Sequence, residues 1–178
     1  AVYCVAALPR HRLPARYGTS AASELCRRQG PNTYYDAVNV GGARTVLEAA
    51  VSAGAKRFIY CSTCGVHGDV QRPPANEDAP IAAADYYQQT KYQAEPLVHE
   101  YQNRGLSTVI LRPAAIYGPG DPERFGMIFR RVATGSFSIF GDGKAFYHPL
   151  YVDNFVDALE KVSHDGVGDG RTYLMADH

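Results

Sequence analysis

Two kinds of hydrophobic pattern alternate along the chain. Short unbroken apolar runs, "AVYCVAA" (Ala1 to Ala7), "KRFIYCS" (Lys56 to Ser62) and "LSTVILRPA" (Leu106 to Ala114), have the length and the β-branched or aromatic content of strands buried on both faces. Between them, apolar residues recur at helical spacing. From Tyr35 to Ala53 the set Val38, Val40, Val46, Leu47, Ala50 and Val51 follows that period, and Gly54 stands where a C-terminal cap belongs. A second long helix is predicted from about Asp85 to Arg104, closed by Gly105 and preceded by the Pro-rich loop "QRPPANEDAPI". Strand, helix, strand, helix, strand of these lengths describes two right-handed crossover units and a parallel sheet covered on both faces. That is half of a doubly wound, Rossmann-like α/β nucleotide-binding fold.

The flanking segments are less regular. "LPRHRLPARYGTSAASELCRRQGPNT" reads as loop with one short helix near Ala21 to Arg28. Beyond the third strand, "PERFGMIFRRVATG" is an amphipathic helix and "FSIFGDGKAFYHPLYV" two extended pieces around a Gly-Asp-Gly turn. "DNFVDALEKVS" is a helix with Asp153 as its N-cap, and "RTYLMAD" a last strand.

A chain of 178 residues supports one domain with a real core. Lys plus Arg and Asp plus Glu balance at 18 each, so no global field draws the protein to nucleic acid or an anionic membrane; a small molecule is the expected partner. No apolar stretch approaches the roughly 20 residues that span a bilayer. Cys4, Cys26, Cys61 and Cys64 are not spaced as a disulfide framework and no secretory signal precedes them, which predicts a reducing cytoplasm. Cys61-x-x-Cys64 has no second ligand pair at a suitable spacing and reads as small packing residues, and the histidines form no H-x-x-x-H pair; no metal is expected.

Chemistry enters with "DYYQQTK", Asp85 to Lys91. A helix brings residues four apart onto one face, so Tyr87 pairs with Lys91 while Tyr86 pairs with Thr90. A nearby ammonium favours the phenolate and lowers a tyrosine pKa from about 10 toward neutrality. Tyr87 is therefore the candidate acid/base and Tyr86 the packing or substrate-facing neighbour. The second strand ends in "YCSTCGVHG", which sets the hydroxyls of Ser62 and Thr63 at the carboxyl end of a parallel strand, where ligands bind in such sheets.

These residues resemble the extended short-chain dehydrogenase/reductases of the NAD-dependent epimerase/dehydratase type. The resemblance is carried by "VNVGGARTVLEAAVSAGAKRFIYCSTCGVHG", "YYQQTKYQAE", "LRPAAIYGPGD" and "YHPLYVDNFVDAL", in the family's order and spacing. It implies an NAD(P)-dependent oxidoreductase or epimerase acting on a secondary alcohol or ketone, with NAD or NADP as cofactor. Tyr87 would exchange the substrate hydroxyl proton, Lys91 would hydrogen-bond the nicotinamide ribose and depress the tyrosine pKa, and Thr63 would orient the substrate oxygen. Alignment on "GVHG" selects Thr63 over Ser62. By the same resemblance Val5, Ala6 and Ala7 would fall against the cofactor and Pro113 near the nicotinamide carboxamide, and Asn39 matches the family's helix asparagine. His148 is a candidate substrate contact, and a homodimer built through the two long helices is implied.

By the resemblance, residues 1–118 are the nicotinamide-side, C-terminal half of the Rossmann-like domain, and 119–178 part of a small substrate-binding lobe with a returning strand and helix. The family's Gly-x-x-Gly-x-x-Gly phosphate turn is not in this sequence, which leads us to expect a segment of a longer enzyme. The rival expectation is a non-catalytic, cofactor-sensing or scaffold protein of the same fold. Nucleotide-sugar members carry an Asn and an Arg where this chain has Ala115 and Tyr147, so the usual anion clamp is not evident, although Arg124, Arg130 and Arg131 lie nearby in sequence. The pattern leans toward the branch resembling 3β-hydroxysteroid dehydrogenases and dihydroflavonol reductases. Cys64 and Gly65 stand in place of the dehydratases' Asp-Glu pair, which argues against dehydration.

Overall fold

The computed structural model describes residues 3–6, 33–121, 125–139, 141–144, 147–164 and 166–177, and all structural statements concern these. The strands are β1 (Tyr3–Ala6), β2 (Arg57–Cys61), β3 (Ser107–Pro113), β4 (Ala115–Tyr117), β5 (Pro149–Tyr151) and β6 (Thr172–Met175). The helices are α1, running continuously through Thr33–Tyr35, a π-helical turn Asp36–Gly41 and Gly42–Ser52, then α2 (Tyr86–Asn103), α3 (Phe125–Ala133) and α4 (Val152–Ser163).

The main sheet is parallel throughout, in the order β1-β2-β3-β6. Successive side chains of its central strands face opposite ways. Phe58, Tyr60 and Ile110 enter one core with Ala43 and Leu47 of α1 and Ala94, Val98 and Tyr101 of α2. Ile59, Val109 and Leu111 enter the other with Leu150 of β5 and Phe155 and Val162 of α4. Neither face is left to solvent, which is why these strands are written as unbroken apolar runs.

The exception at the start of β2 has a structural use. Arg57 is fully buried, and its Nη1 donates to the carbonyls of Val162 (2.9 Å) and His164. These are carbonyls that the end of a helix leaves without an intrahelical partner. Its Nε donates to Ser107 Oγ at 2.9 Å and its Nη2 to Asp169, so one guanidinium ties the end of α4 to the sheet and to the turn before β6. The Asp169 carboxyl is held below its ordinary range, chiefly by the Ser107 hydroxyl and further by Arg57.

Two expectations change. Asp153 does not cap α4: β5 runs straight into the helix at Val152, Tyr151 occupies the cap position without a side-chain cap, and Asp153 lies exposed in the first turn. The fastening at this end comes from Asp177, whose carboxylate accepts from Tyr151 N (2.7 Å) and Asn154 Nδ2 (2.8 Å). Among the described residues of the two extended pieces expected around Gly141–Gly143, Pro149–Tyr151 forms a strand, and it pairs in parallel with β4, which the sequence pattern did not predict. The helix expected near Ala21 to Arg28 lies outside the described residues, as do Ala7 and Arg124. The small β4–β5 sheet straddles position 118, while α4 and β6 return to the main sheet. Among the described residues no helix is long and apolar enough to cross a membrane.

Candidate active site

The chain leaves β2 at Cys61 and turns at once. Ser62 points inward: it is 3% exposed and its Oγ donates to Glu95 Oε1 at 2.6 Å. Thr63, one residue on, is half-buried and extended (φ −155°, ψ 146°), and its Oγ1 accepts the amide of Gly65 at 3.2 Å to cap the 3₁₀ turn Cys64–His67. The two hydroxyls that the sequence sets side by side thus have different tasks.

That turn lies against the start of α2. A Cβ on Gly65 would stand 2.9 Å from Gln88 Nε2 and 3.0 Å from its Cδ, so the Thr63 turn lies close against the Gln88 side chain of the helix turn that carries Tyr87. Gly68 closes the turn at φ 59°, with Ala82 O only 2.2 Å from where a Cβ would be. Gly68→Ala meets both the strained dihedral and that carbonyl. It should lower unfolding free energy by at least about 2 kcal/mol, measured by denaturant titration. A wild-type midpoint would show that the loop yields freely.

Asp85 starts α2 by accepting the Gln88 amide at 2.8 Å, a cap that contributes about 1 kcal/mol. From there the two adjacent tyrosines diverge. Tyr86 OH donates to Asp36 Oδ2 (2.7 Å) on α1, and this hydrogen bond holds its phenol above the ordinary range. Tyr87 packs edge-on to Tyr35 (centroids 6.4 Å apart, 64°) and is half-buried. Its carbonyl accepts from Thr90 Oγ1 (2.9 Å), which in turn accepts from Asn39 Nδ2 (2.9 Å). Asn39 sits in the π-helical turn of α1, so its described role is to brace the turn that carries Tyr87.

Lys91, the next residue on the Tyr87 face of α2, is only 4% exposed. Its Nζ lies 4.6 Å from the centroid of the Tyr60 ring, and Tyr60 OH donates to the Lys91 carbonyl at 3.3 Å. Burial pushes the Lys91 ammonium below its ordinary pKa, opposed by Cys61 and Glu95. Burial likewise pushes Tyr60 far up, and Glu95 and then Tyr87 add to this, which places the Tyr87 phenol within electrostatic reach of Tyr60.

The other expected residues fall as follows. Pro113 is buried at the carboxyl end of β3, paired with Met175. Val5 and Ala6 end β1 opposite Ile59 and Tyr60, at the same edge of the sheet. His148 is exposed beside β5, and its carbonyl accepts the Ala115 amide at 3.2 Å. Tyr147 packs on Phe125 (5.8 Å), within an aromatic group that includes Tyr117, Phe129 and Tyr151. Arg130 and Arg131 are exposed on α3. Cys61 and Cys64 are free thiols that burial raises in pKa, and no cluster among the described residues has a metal-binding donor set.

Sequence reasoning missed a buried polar group behind the site. Glu95 receives Ser62 and, through both oxygens, Arg112 Nε (3.0 Å) and Nη2 (2.6 Å). Arg112 Nη1 reaches His67 Nε2 at 2.9 Å and the Glu77 carbonyl at 3.3 Å. A guanidinium only donates, so Nε2 accepts and the His67 proton is on Nδ1, facing Ala79 O at 3.0 Å. The available signal was Glu95 itself, a carboxylate four residues beyond Lys91 on the buried face of the helix.

The parallel α/β sheet, with helices against both of its faces, is a Rossmann-type arrangement. The sequence profile of the NAD dependent epimerase/dehydratase family matches residues 18–176. The chain belongs to that family. It is 38% identical over 130 residues to the 3beta-hydroxysteroid-dehydrogenase/decarboxylase isoform 1 of Arabidopsis thaliana, covering 68% of this chain and 29% of that protein. It superimposes on UDP-glucose 4-epimerase of Thermotoga maritima, solved with UDP-glucose, with a TM-score of 0.73, 27% identity and coverage of 86% and 51% of the two chains. For UDP-glucuronic acid 4-epimerase of Bacillus cereus, solved with NAD, the values are 0.70, 26%, 84% and 51%. The chain spans about half, or less, of the length of these proteins.

Proposed function

We propose that the chain carries the proton-handling side of an NAD-dependent oxidoreductase or epimerase site acting on a secondary alcohol or its ketone. The observation that carries this reading is the contact of Gly65 with Gln88, which brings the turn of Thr63 against the helix turn of Tyr87, with Lys91 buried on the same helix face. The donor set fits a nicotinamide nucleotide: the Lys91 ammonium suits ribose hydroxyls, and Pro113, Val5 and Ala6 lie along the same carboxyl edge of the sheet. When bound, the nicotinamide supplies the acceptor and donor of a hydride. Tyr87 takes the hydroxyl proton as the alcohol is oxidised and returns it on reduction. Lys91 favours the phenolate by its charge. Thr63 Oγ1 already accepts from Gly65 N, so its own proton can be donated to the substrate oxygen.

For the substrate, the aromatic group around Tyr147 and Phe125 supports an uncharged, apolar alcohol. The test follows NAD reduction spectrophotometrically and, because epimerisation returns its hydride and leaves no net NADH, epimer formation by chromatography, for the holoenzyme with a panel of 3β-hydroxysteroids and UDP-sugars. Reduction with the sterols and not the UDP-sugars is expected. Turnover of UDP-sugars alone would overturn the substrate assignment, and no turnover of any alcohol with either nicotinamide cofactor would favour a non-catalytic role.

A further inference from the structure

The buried group behind the site has a distribution that core packing does not require. Ser62, His67, Glu95 and Arg112 are 3%, 4%, 2% and 6% exposed, and each adjoins a residue of the proposed site. Ser62 directly precedes Thr63, and His67 ends the 3₁₀ turn that Thr63 caps. Glu95 lies one helical turn beyond Lys91, and Arg112 directly precedes Pro113. Desolvating a guanidinium and a carboxylate costs about as much as their attraction returns, so apolar residues of similar volume would serve stability as well. What they would not supply is direction. The two-pronged Arg112–Glu95 pair admits one register of α2 against β3, while Ser62 and His67 hold the loop after β2 to the same two groups.

We propose that Glu95 and Arg112 are positioning residues, a buried clamp flanked by Ser62 and His67 that sets Tyr87 and Lys91 in register with Thr63. This rests on the reading of those three residues given above. The charged and titratable groups around Lys91 are Tyr60 and Cys61 from β2, Tyr87 and Glu95 from α2, and Arg112 of β3 behind Glu95; α1 brings Tyr35 against Tyr87, Asp36 against Tyr86 and the neutral Asn39 against Thr90.

Two readouts test the clamp. In the holoenzyme, Glu95→Gln keeps the shape and turns an amide N–H₂ toward Arg112. It should lower kcat about tenfold with KM within about twofold, and Arg112→Lys, which keeps the charge and loses the fork, should do the same. The second readout needs no turnover. The chain holds four lysines, Lys56, Lys91, Lys144 and Lys161. After ¹³C reductive methylation, the Lys91 resonance, assigned with Lys91→Arg, should titrate at lower pH in Glu95→Gln while the other three stay in place. Wild-type kcat and an unmoved Lys91 titration in Glu95→Gln would overturn the clamp. So would Arg112→Lys behaving as wild type, since charge alone would then suffice. If Glu95→Gln does not fold, Ser62→Ala, which removes one donor to Oε1, takes its place with a several-fold fall in kcat expected and wild-type kcat overturning the proposal. If the wild-type protein turns over nothing, the Lys91 resonance in Arg112→Lys, which leaves every charge in place, decides alone: movement upholds the clamp while the enzymatic reading falls, and no movement removes both.

Discussion

Tyr87→Phe should reduce turnover at least about a hundredfold, the lower scale of general acid–base effects, with substrate KM and melting temperature close to those of the wild type. The substitution keeps the ring that packs edge-on against Tyr35 and keeps the backbone carbonyl that Thr90 and Asn39 brace. It removes the phenolic oxygen, the only atom of the side chain that can carry the substrate proton. Tyr86→Phe is the matched control. It deletes a phenol of the same kind one residue away, but that phenol is committed to Asp36 on α1. Turnover of Tyr86→Phe should stay within a few-fold of wild type, with stability slightly lower for the lost hydrogen bond. Comparable losses of kcat in the two variants would mean that the tyrosines act through packing, and a wild-type rate in Tyr87→Phe would remove the proposed acid/base outright.

The contrast between these two tyrosines was legible in the sequence because helical period is a geometric fact that needs no tertiary information: Lys91 is four residues from Tyr87 and five from Tyr86. The β2 and β3 strands were legible for a similar reason, since burial between two helical layers demands apolar side chains on both faces. The three-residue β4 was not, because it is too short to show a period and its partner β5 lies more than thirty residues away. The choice of Thr63 over Ser62 came from a family resemblance and not from patterning; in the structure Ser62 is turned to Glu95 and Thr63 is half-buried. Arg112 and Glu95 stayed hidden because hydrophobic patterning treats a charge inside an apolar run as an interruption. Only the fold shows that one interruption in β3 and another in α2 meet as a pair.

Lys91→Met should make the protein more stable and less active at once. At neutral pH the wild type holds an ammonium that is 4% exposed, and burial depresses its pKa despite the opposing Cys61 and Glu95. The Tyr60 ring beneath Nζ offers a cation–π attraction of about 0.5–2 kcal/mol. The depressed pKa says that the protein environment as a whole still holds the proton less well than water does, so Lys91 costs folding free energy. Methionine fills a similar volume without the charge, and a gain on the order of 1 kcal/mol at pH 7 is expected in the cofactor-free protein. The pH dependence follows from proton counting. Between the depressed pKa of the folded state and about 10.4 in the unfolded chain, the unfolded state binds the extra proton. Wild-type stability should therefore rise with pH through this window relative to Lys91→Met, and the advantage of the variant should shrink. Turnover should fall on the order of a hundredfold, because no charge remains to favour the Tyr87 phenolate. Urea titrations of both proteins at pH 7 and near pH 10, beside kcat for the holoenzyme forms, check each part. A variant less stable than wild type at pH 7, or a stability difference that does not change with pH, would show that Lys91 is held for structure, and a wild-type kcat would show that the site does not depend on its charge.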